Sequence, residues 1–434
     1  MSRKQTYISD VEYPYTNEWN NDKNLVHFRL SGIHVSLANS LRRAITSEVP
    51  TIGFRAEPYK YSTIKVNKNT TNVNDQMVAK QVSLVPIYVA HPDKFNVDDY
   101  EFIIDEINDT NYIKYITTEH IKIKRISTNT YLNNNDLRRL IPPDNITNDF
   151  IPIVSMMPKY RTLVHPNNPE MENAIGEAIQ IGVTDGVILN LKAKCVMSTG
   201  RGENNSHFSP STTAVYGYTI DTELAKIKEN EYVEEIRQKA IVAGLTPDSE
   251  EKLRNRFNLN MVQRVYIKDE YGDPASFNFR VESIGVIPPL VVVERASNAL
   301  VEMVDDLVRN LKVGAIDAVE VIPIMTRGAN GFNIKIMNRD DTLGNLVMSW
   351  LSREYADYAL PIEERKLEFV GYHRSHPMLD HVNIEIRSIS SQSPSDCVND
   401  VIIPGCQNLI KHLMSIVNDI RELPEYLQEA KRIA

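Results

Sequence analysis

The stretch VSLANSLRRAITSEVP, residues Val35–Pro50, organises the reading of this chain. Leu37, Leu41 and Ile45 recur every four residues, so they share one face of a helix. Arg42 and Arg43 stand beside that face. Glu48, Val49 and Pro50 close the helix, because the residue before a proline is pushed out of the α region. Periodicity alone gives an ordinary amphipathic helix. The paired arginines add a charged edge beside the stripe that packs.

Outward from this helix the pattern continues on both sides. Leu25–Leu30 reads as a strand entering the helix through Gly32, after a polar, turn-rich segment 1–24. Residues 51–69 alternate as strand. Asn74 and Asp75 cap a helix running to about Val85, with Met77, Val78, Val82 and Val85 as its apolar positions and Pro86 as its stop. Ile188–Cys195 is a strand of period two, followed by a Gly200-Arg201-Gly202 turn and the run His207-Phe208-Ser209-Pro210. Residues 222–257 read as two solvated helices, the second with Thr246 as cap and Pro247 at its first position. Phe277–Pro289 is a strand, a turn and a Pro-Pro break, and a long amphipathic helix with Ala296, Leu300 and Leu307 comes next.

LANSLRR, three further residues and SEVPT resemble the dimerisation helix of the RNA polymerase alpha family: the bacterial alpha subunit, the archaeal D subunit and the third-largest subunit of eukaryotic RNA polymerase II. Leu84-x-Pro86-Ile87, the His207–Pro210 run with Ala214 and Tyr216, and the closing Phe-x-Phe-x-Val-Glu-x-x-Gly and Pro-Pro are similar to the same family. The Ala-Lys usual between the histidine and the aromatic residue is missing. Many relatives carry a cysteine metal site in the insert. The insert here, 91–165, has no cysteine, and His91, His120 and His165 lie too far apart to form a ligand set.

After a segment 313–330 read as a linker, the pattern starts again. Val26–Leu30 faces Phe332–Ile336 at an offset of 306, and at that same offset Leu37-Ala38-Asn39 meets Leu343-Gly344-Asn345. A strand-to-helix unit repeated at one fixed distance points to an internal pseudo-dimer. The second unit has Leu343, Val347, Trp350 and Leu351 on one helix face, a strand Leu367–Tyr372, a break at His376-Pro377 and a strand Val382–Ile386. Its tail repeats apolar residues at Leu409, Leu413, Ile416 and Ile420 up to Pro424. The order Thr342-Leu343-Gly344-Asn345, then Phe369-x-Gly371-Tyr372, then His376-Pro377 resembles the archaeal L subunit and its eukaryotic counterpart, although Asp341 stands where histidine is usual.

The expectation is therefore an α+β protein carrying the alpha-subunit dimerisation fold twice. A D-like half (1–90 and 166–312) with an inserted domain (91–165) would pair within the chain with an L-like half (331–434), as in the fused D–L subunits of some large DNA viruses. Leu37, Leu41, Ile45, Leu343, Val347, Trp350, Leu351, Leu413, Ile416 and Ile420 would form the pairing core. The resemblance implies docking of the two large polymerase subunits on Arg42, Arg43, Ser47, Glu48, His207 and Phe208, with small polymerase subunits as further partners.

Composition bounds the function. A net charge of −9 argues against sequence-independent DNA binding, so DNA and RNA would be met only through a complex. Cys195, Cys397 and Cys406 make neither a disulfide framework nor a four-thiolate site, which points to a reducing compartment. No cofactor, metal, catalytic group or homodimer is expected. Asp340-Asp341 and Asp305-Asp306 read as caps and solvated charges rather than a magnesium cluster. No apolar run reaches membrane-spanning length and no signal peptide opens the chain, so the expected location is intracellular and soluble, or, for a virus, the host cytoplasm and the virion. Two other classes remain: a nucleotide-binding protein using the Gly200–Gly202 loop, which lacks the Lys-Ser/Thr of a Walker motif, and a free-standing nucleic-acid binder.

Overall fold

The computed structural model describes residues 7–15, 23–110, 112–144, 147–158, 160–161, 181–182, 186–202, 205–244, 246, 248–324, 331–361, 363–376, 378–390 and 393–433. The chain divides into two compact units, Met1–Val49 with Ser211–Arg432, and Pro50–Pro210.

The first unit holds two four-stranded antiparallel sheets. Strands β1 (Ile8–Glu12), β2 (Leu25–Ser31), β3 (Ser211–Tyr218) and β4 (Ser276–Ser283) lie in the order β1-β2-β4-β3. Strands β5 (Val319–Pro323), β6 (Gly331–Met337), β7 (Leu367–His373) and β8 (His381–Ser388) lie in the order β5-β6-β8-β7. Counted along the chain, the two sheets have the same connectivity. β2 and β6 are separated by 306 residues end to end. Each buries alternate side chains: Val26, Phe28 and Leu30 in β2, Phe332, Ile334 and Ile336 in β6. Phe28 stacks on Phe279 of β4 with ring centroids 5.1 Å apart.

The longer helices of this unit are α1 (Val35–Ser47), α2 (Thr222–Val242), α3 (Glu250–Asn260), α4 (Pro289–Val313), α5 (Asp341–Leu351), α6 (Ile403–Glu422) and α7 (Pro424–Ile433). Each central strand reaches its helix through one left-handed residue, Gly32 (φ 74°) before α1 and Asn338 (φ 52°) before α5, again 306 apart. Glycine and asparagine are the residues that take this conformation at least cost. α1 packs on β3, α4 and α5, and α4 packs on α6. Two glycines permit the closest approaches around α5. A Cβ on Gly344 would stand 2.4 Å from the Tyr372 ring, and one on Gly405 of α6 would stand 2.5 Å from Leu351 Cδ2. The amides of Leu290 and Val291, at the start of α4, donate to Glu429 Oε2 of α7 at 2.9 and 3.3 Å, and the Tyr13 hydroxyl donates to Oε1 at 2.8 Å. That carboxylate supplies the acceptor that Pro288 cannot provide at the helix start.

Several boundaries differ from the sequence reading. Segment 313–330 is not only a linker: Val319–Pro323 is an edge strand, while 325–330 lie outside the described residues. Segment 1–24 contributes edge strand β1. α5 ends at Leu351 and a π-helical turn, Ser352–Ala356, continues the chain. α6 follows without a break from a short helix Pro394–Cys397 and a π-helical turn Val398–Ile402, so Pro404 lies within continuous helical backbone, just after that π-helical turn. The α2–α3 pair is capped by Asp221 and Ser249 rather than Thr246, and Pro247 lies outside the described residues, as do His165 and Pro377.

The second unit is built on a five-stranded sheet in the order Ile64–Asn69, Val187–Lys194, Tyr100–Asn108, Lys122–Arg125, Thr130–Tyr131. It is larger than the segment 91–165 marked off by composition. Val187–Lys194 pairs with Ile64–Asn69 on one side and with Tyr100–Asn108 on the other, so strands from outside the segment share its sheet. Helix Asp75–Ser83 is capped by the Asn74 side chain and buries Val78 and Val82, but Met77 is 51% exposed and faces away from the core.

Candidate assembly interface

The seam between α1 and α5 is where the residues of the opening stretch meet the second sheet's helix. Leu37, Leu41 and Ile45 are buried on α1; Leu343, Val347 and Leu351 are buried on α5; Leu413, Ile416 and Ile420 are buried on α6. Trp350 is half-buried, donates from Nε1 to the Gly405 carbonyl at 3.1 Å and lies 5.2 Å from the His412 ring.

Polar groups hold the two ends of this seam, and they form two equivalent clamps. At the first, His34 caps α1, its Nδ1 accepting from the Ser36 amide at 3.3 Å. The Ser36 hydroxyl donates to Ser349 Oγ of α5 at 2.8 Å, and Ser349 Oγ lies 3.1 Å from His34 Nδ1. At the second, Asp340 caps α5, accepting from the Thr342 amide at 3.1 Å. The Thr342 hydroxyl donates to Asp340 Oδ2 at 3.0 Å, and Arg43 of α1 donates to Thr342 Oγ1 at 2.8 Å and to Asp340 Oδ2 at 3.0 Å. The start of α1 thus meets the end of α5 and the end of α1 meets the start of α5, so the helices run antiparallel. Raising His34 and Ser36 by 306 gives Asp340 and Thr342; lowering Ser349 by 306 gives Arg43. Each clamp is therefore a cap, a hydroxyl two residues on, and one residue from the facing helix.

The electrostatics of the clamps differ. Burial pushes the His34 imidazole below its ordinary pKa, with the nearby Arg353 acting in the same direction and Asp273 and Asp269 against it. A neutral ring fits its part, with Nδ1 as acceptor and Nε2 turned to Asp273 at 3.7 Å. Burial of Asp340 resists its ionisation, but the hydrogen bonds from Arg43 and Thr342 outweigh it and hold the carboxyl below its usual range. Beside the first clamp, Arg353 pairs with Asp269 at 2.7 Å, and a cavity of about 500 Å³ opens between Leu37, Leu346, Trp350 and His412.

The six residues expected to dock large subunits are in different situations. Arg42 is half-exposed, and its Nε donates to Asn39 on its own helix at 3.1 Å. Arg43 keeps about 37% of its side chain exposed, but its guanidinium is engaged with Thr342 and Asp340. Ser47 donates to the Arg43 carbonyl at 2.9 Å and to Glu48 Oε1 at 3.2 Å, which fixes the end of α1. His207 and Phe208 belong to the second unit. Phe208 has no exposed surface; its carbonyl accepts from Thr51 at 2.6 Å and its ring sits 3.1 Å from where a Cβ on Gly53 would stand. It is a core residue and offers no docking surface. Burial lowers the pKa of His207. The Gly200–Gly202 turn leads to a single 3₁₀ turn, Ser206–Phe208, with no helix start to cradle a phosphate among the described residues.

The sequence reading missed His34, Ser36, Thr342 and Ser349. Their signal was a cap followed at two residues by a hydroxyl, at both ends of the 306-residue offset. Among the described residues, no group of three or more His, Cys, Asp or Glu is placed to hold a metal ion, and no helix is long and apolar enough to cross a membrane.

Comparison with known proteins gives a family match over residues 27–304, to the RNA polymerase Rpb3/Rpb11 dimerisation domain. The chain is similar to the human DNA-directed RNA polymerases I and III subunit RPAC1, 27% identical over 305 residues covering 64% of this chain and 79% of the relative. It is similar to the Saccharomyces cerevisiae subunit of the same name, 25% identical over 280 residues covering 62% and 78%. It is also similar to the Pyrococcus furiosus DNA-directed RNA polymerase subunit Rpo3, 23% identical over 298 residues covering 66% and 93%.

Proposed function

The chain belongs to the RNA polymerase Rpb3/Rpb11 dimerisation-domain family, and from that membership we propose that it is a non-catalytic assembly subunit of a multisubunit DNA-directed RNA polymerase. Its two sheets with their helices act as two halves of an intramolecular pseudo-dimer, D-like first and L-like second, and the platform they form docks the two large catalytic subunits. The observation that carries this reading is the pair of clamps across α1 and α5, related by one offset of 306 residues, as a two-fold pairing of repeated halves requires. Tethering keeps the halves at an effective concentration on the order of mM and fixes their ratio. Small polymerase subunits are further partners, and nucleic acid is met through the complex. If the source is a large DNA virus, the sites of action are the cytoplasmic factory and the particle.

Docking on this reading falls to Arg42, whose planar fork is available for carboxylates or carbonyls of a large subunit. The test is Arg42→Ala in the full chain, with Arg43→Ala beside it. Arg42→Ala is expected to melt like the parent and to capture the large subunits less well. Arg43→Ala is expected to lower the melting temperature by breaking a clamp. Unimpaired capture by Arg42→Ala would remove that arginine from the docking face.

A further inference from the structure

We propose that the two clamps encode which half may pair with which: Arg43 and Asp340 make the mixed pairing of first half with second half the favoured one, and act against pairing of like halves from two copies of this chain. The inference rests on the pseudo-dimer reading and adds a selectivity to it. Under the two-fold that exchanges positions 306 apart, pairing two first halves would build the clamp His34, Ser36 and the facing Arg43 twice. Each guanidinium would meet an imidazole and a hydroxyl, and the nearest carboxylate of that half, Asp273, stands on the other ring nitrogen of His34, 3.7 Å from Nε2. Pairing two second halves would build Asp340, Thr342 and the facing Ser349 twice, leaving two half-buried carboxylates with no cation. Only the mixed arrangement brings the cation to the carboxylate, at 3.0 Å, and leaves a neutral hydrogen-bonded clamp at the other end. The buried faces of α1 and α5 are both aliphatic, Leu37, Leu41 and Ile45 against Leu343, Val347 and Leu351, and so distinguish little between partners. The charges at the seam's ends carry the distinction, a division of labour known from interfaces that must reject near-copies of the right partner.

The experiment uses the full-length chain throughout. Ser36→Cys with Ser349→Cys first reports the topology, because the two oxygens are 2.8 Å apart. An intrachain disulfide is expected; a covalent dimer would overturn the pseudo-dimer reading itself, separately from the selectivity. Arg43→Asp then sets the introduced carboxylate against that of Asp340 in the mixed pairing, a repulsion that a pair of first halves, which lacks Asp340, does not carry. The dimer-to-monomer ratio measured by light scattering should rise roughly tenfold at fixed protein concentration. Arg43→Asp with Asp340→Arg, which restores the opposite charges, should return it to the parent value. A monomeric Arg43→Asp with the parent's melting curve, or a double variant that stays dimeric, overturns the proposal. If Arg43→Asp does not fold, the comparison is Arg43→Ser against Arg43→Lys. The serine removes the cation and should raise the dimer fraction above that of the lysine variant, which keeps it; equal fractions overturn the proposal.

Discussion

Glu429 is 2% exposed, yet it serves as the acceptor for two amides of α4 and the Tyr13 hydroxyl. Burial is the largest influence on it and lifts its pKa from 4.5 to about 7, although those three hydrogen bonds and Arg432 favour the charged form. The folded chain therefore holds this proton more tightly than the unfolded chain. The stability owed to Glu429 is greatest below about pH 4.5 and falls as pH rises to about 7. Glu429→Gln keeps an acceptor and removes the titration, so the melting difference between variant and parent should shift in the variant's favour across that window and flatten above it. Thermal melts from pH 4 to about pH 8 would read this, and a difference independent of pH would remove Glu429 from the account. Long-range partners of this kind are what local sequence cannot supply. Arg43 was visible beside its stripe, but Asp340 lies 297 residues away, and nothing in the spacing of the arginines says which of them engages it. Phe208 was misread for the same reason: its burial depends on Thr51 and Gly53, more than 150 residues earlier.

α6 crosses α5 at a point where both backbones come close. A methyl on Gly405 would sit 2.5 Å from Leu351 Cδ2 and 2.8 Å from the Tyr355 ring. In an isolated helix, Gly→Ala stabilises by about 1 kcal/mol. Here overpacking at two buried neighbours opposes that gain, and Gly405→Ala should destabilise by about 1–2 kcal/mol net. Denaturant unfolding would measure it, and a stabilised variant would mean that α5 and α6 can separate freely. Elements with a buried face were legible from their periods: β2, α1, α5 and the apolar stripe of α6 all carry alternate or four-residue repeats. β1 and β5 were not. Each is a five-residue edge strand with few buried positions, so little alternation is imposed on it. The second unit's extent was also hidden, because its sheet is closed by a strand that returns more than 80 residues after Tyr100–Asn108 began.

The first unit gathers both sheets around helices that touch one another, α1 with α4 and α5, and α4 with α6. A charge placed on this shared surface should be felt in both sheets. Leu41 is 1% exposed, and Leu41→Asp would bury an unpaired carboxylate at a cost of roughly 3–5 kcal/mol. Hydrogen exchange should lose protection in β2 and also in β6 and β8, although the substitution lies in the first half of the sequence. Loss confined to β2 and β4 would mean that the sheets unfold independently. Although the left-handed residues, caps and hydroxyls that fall on the offset of 306 were not read, part of the first unit's layout was legible at that offset, where the strands Val26–Leu30 and Phe332–Ile336 and the helix starts Leu37 and Leu343 repeat. The order of the edge strands and the partners of the α2–α3 hairpin were not, because no repeat carries them.

The distance between α1 and α5 along the chain also sets a clock. The ribosome makes α1 long before it makes the surface that α1 is packed against. At about 5–20 residues per second, 306 residues take roughly 15–60 s. Throughout that interval, during which the second unit, Pro50–Pro210, is itself synthesised, the Leu37–Leu41–Ile45 stripe is without its α5 neighbour. The newborn protein should therefore lean on holdase chaperones for most of its synthesis, and codons that slow translation between Pro50 and Asp341 should lengthen that dependence.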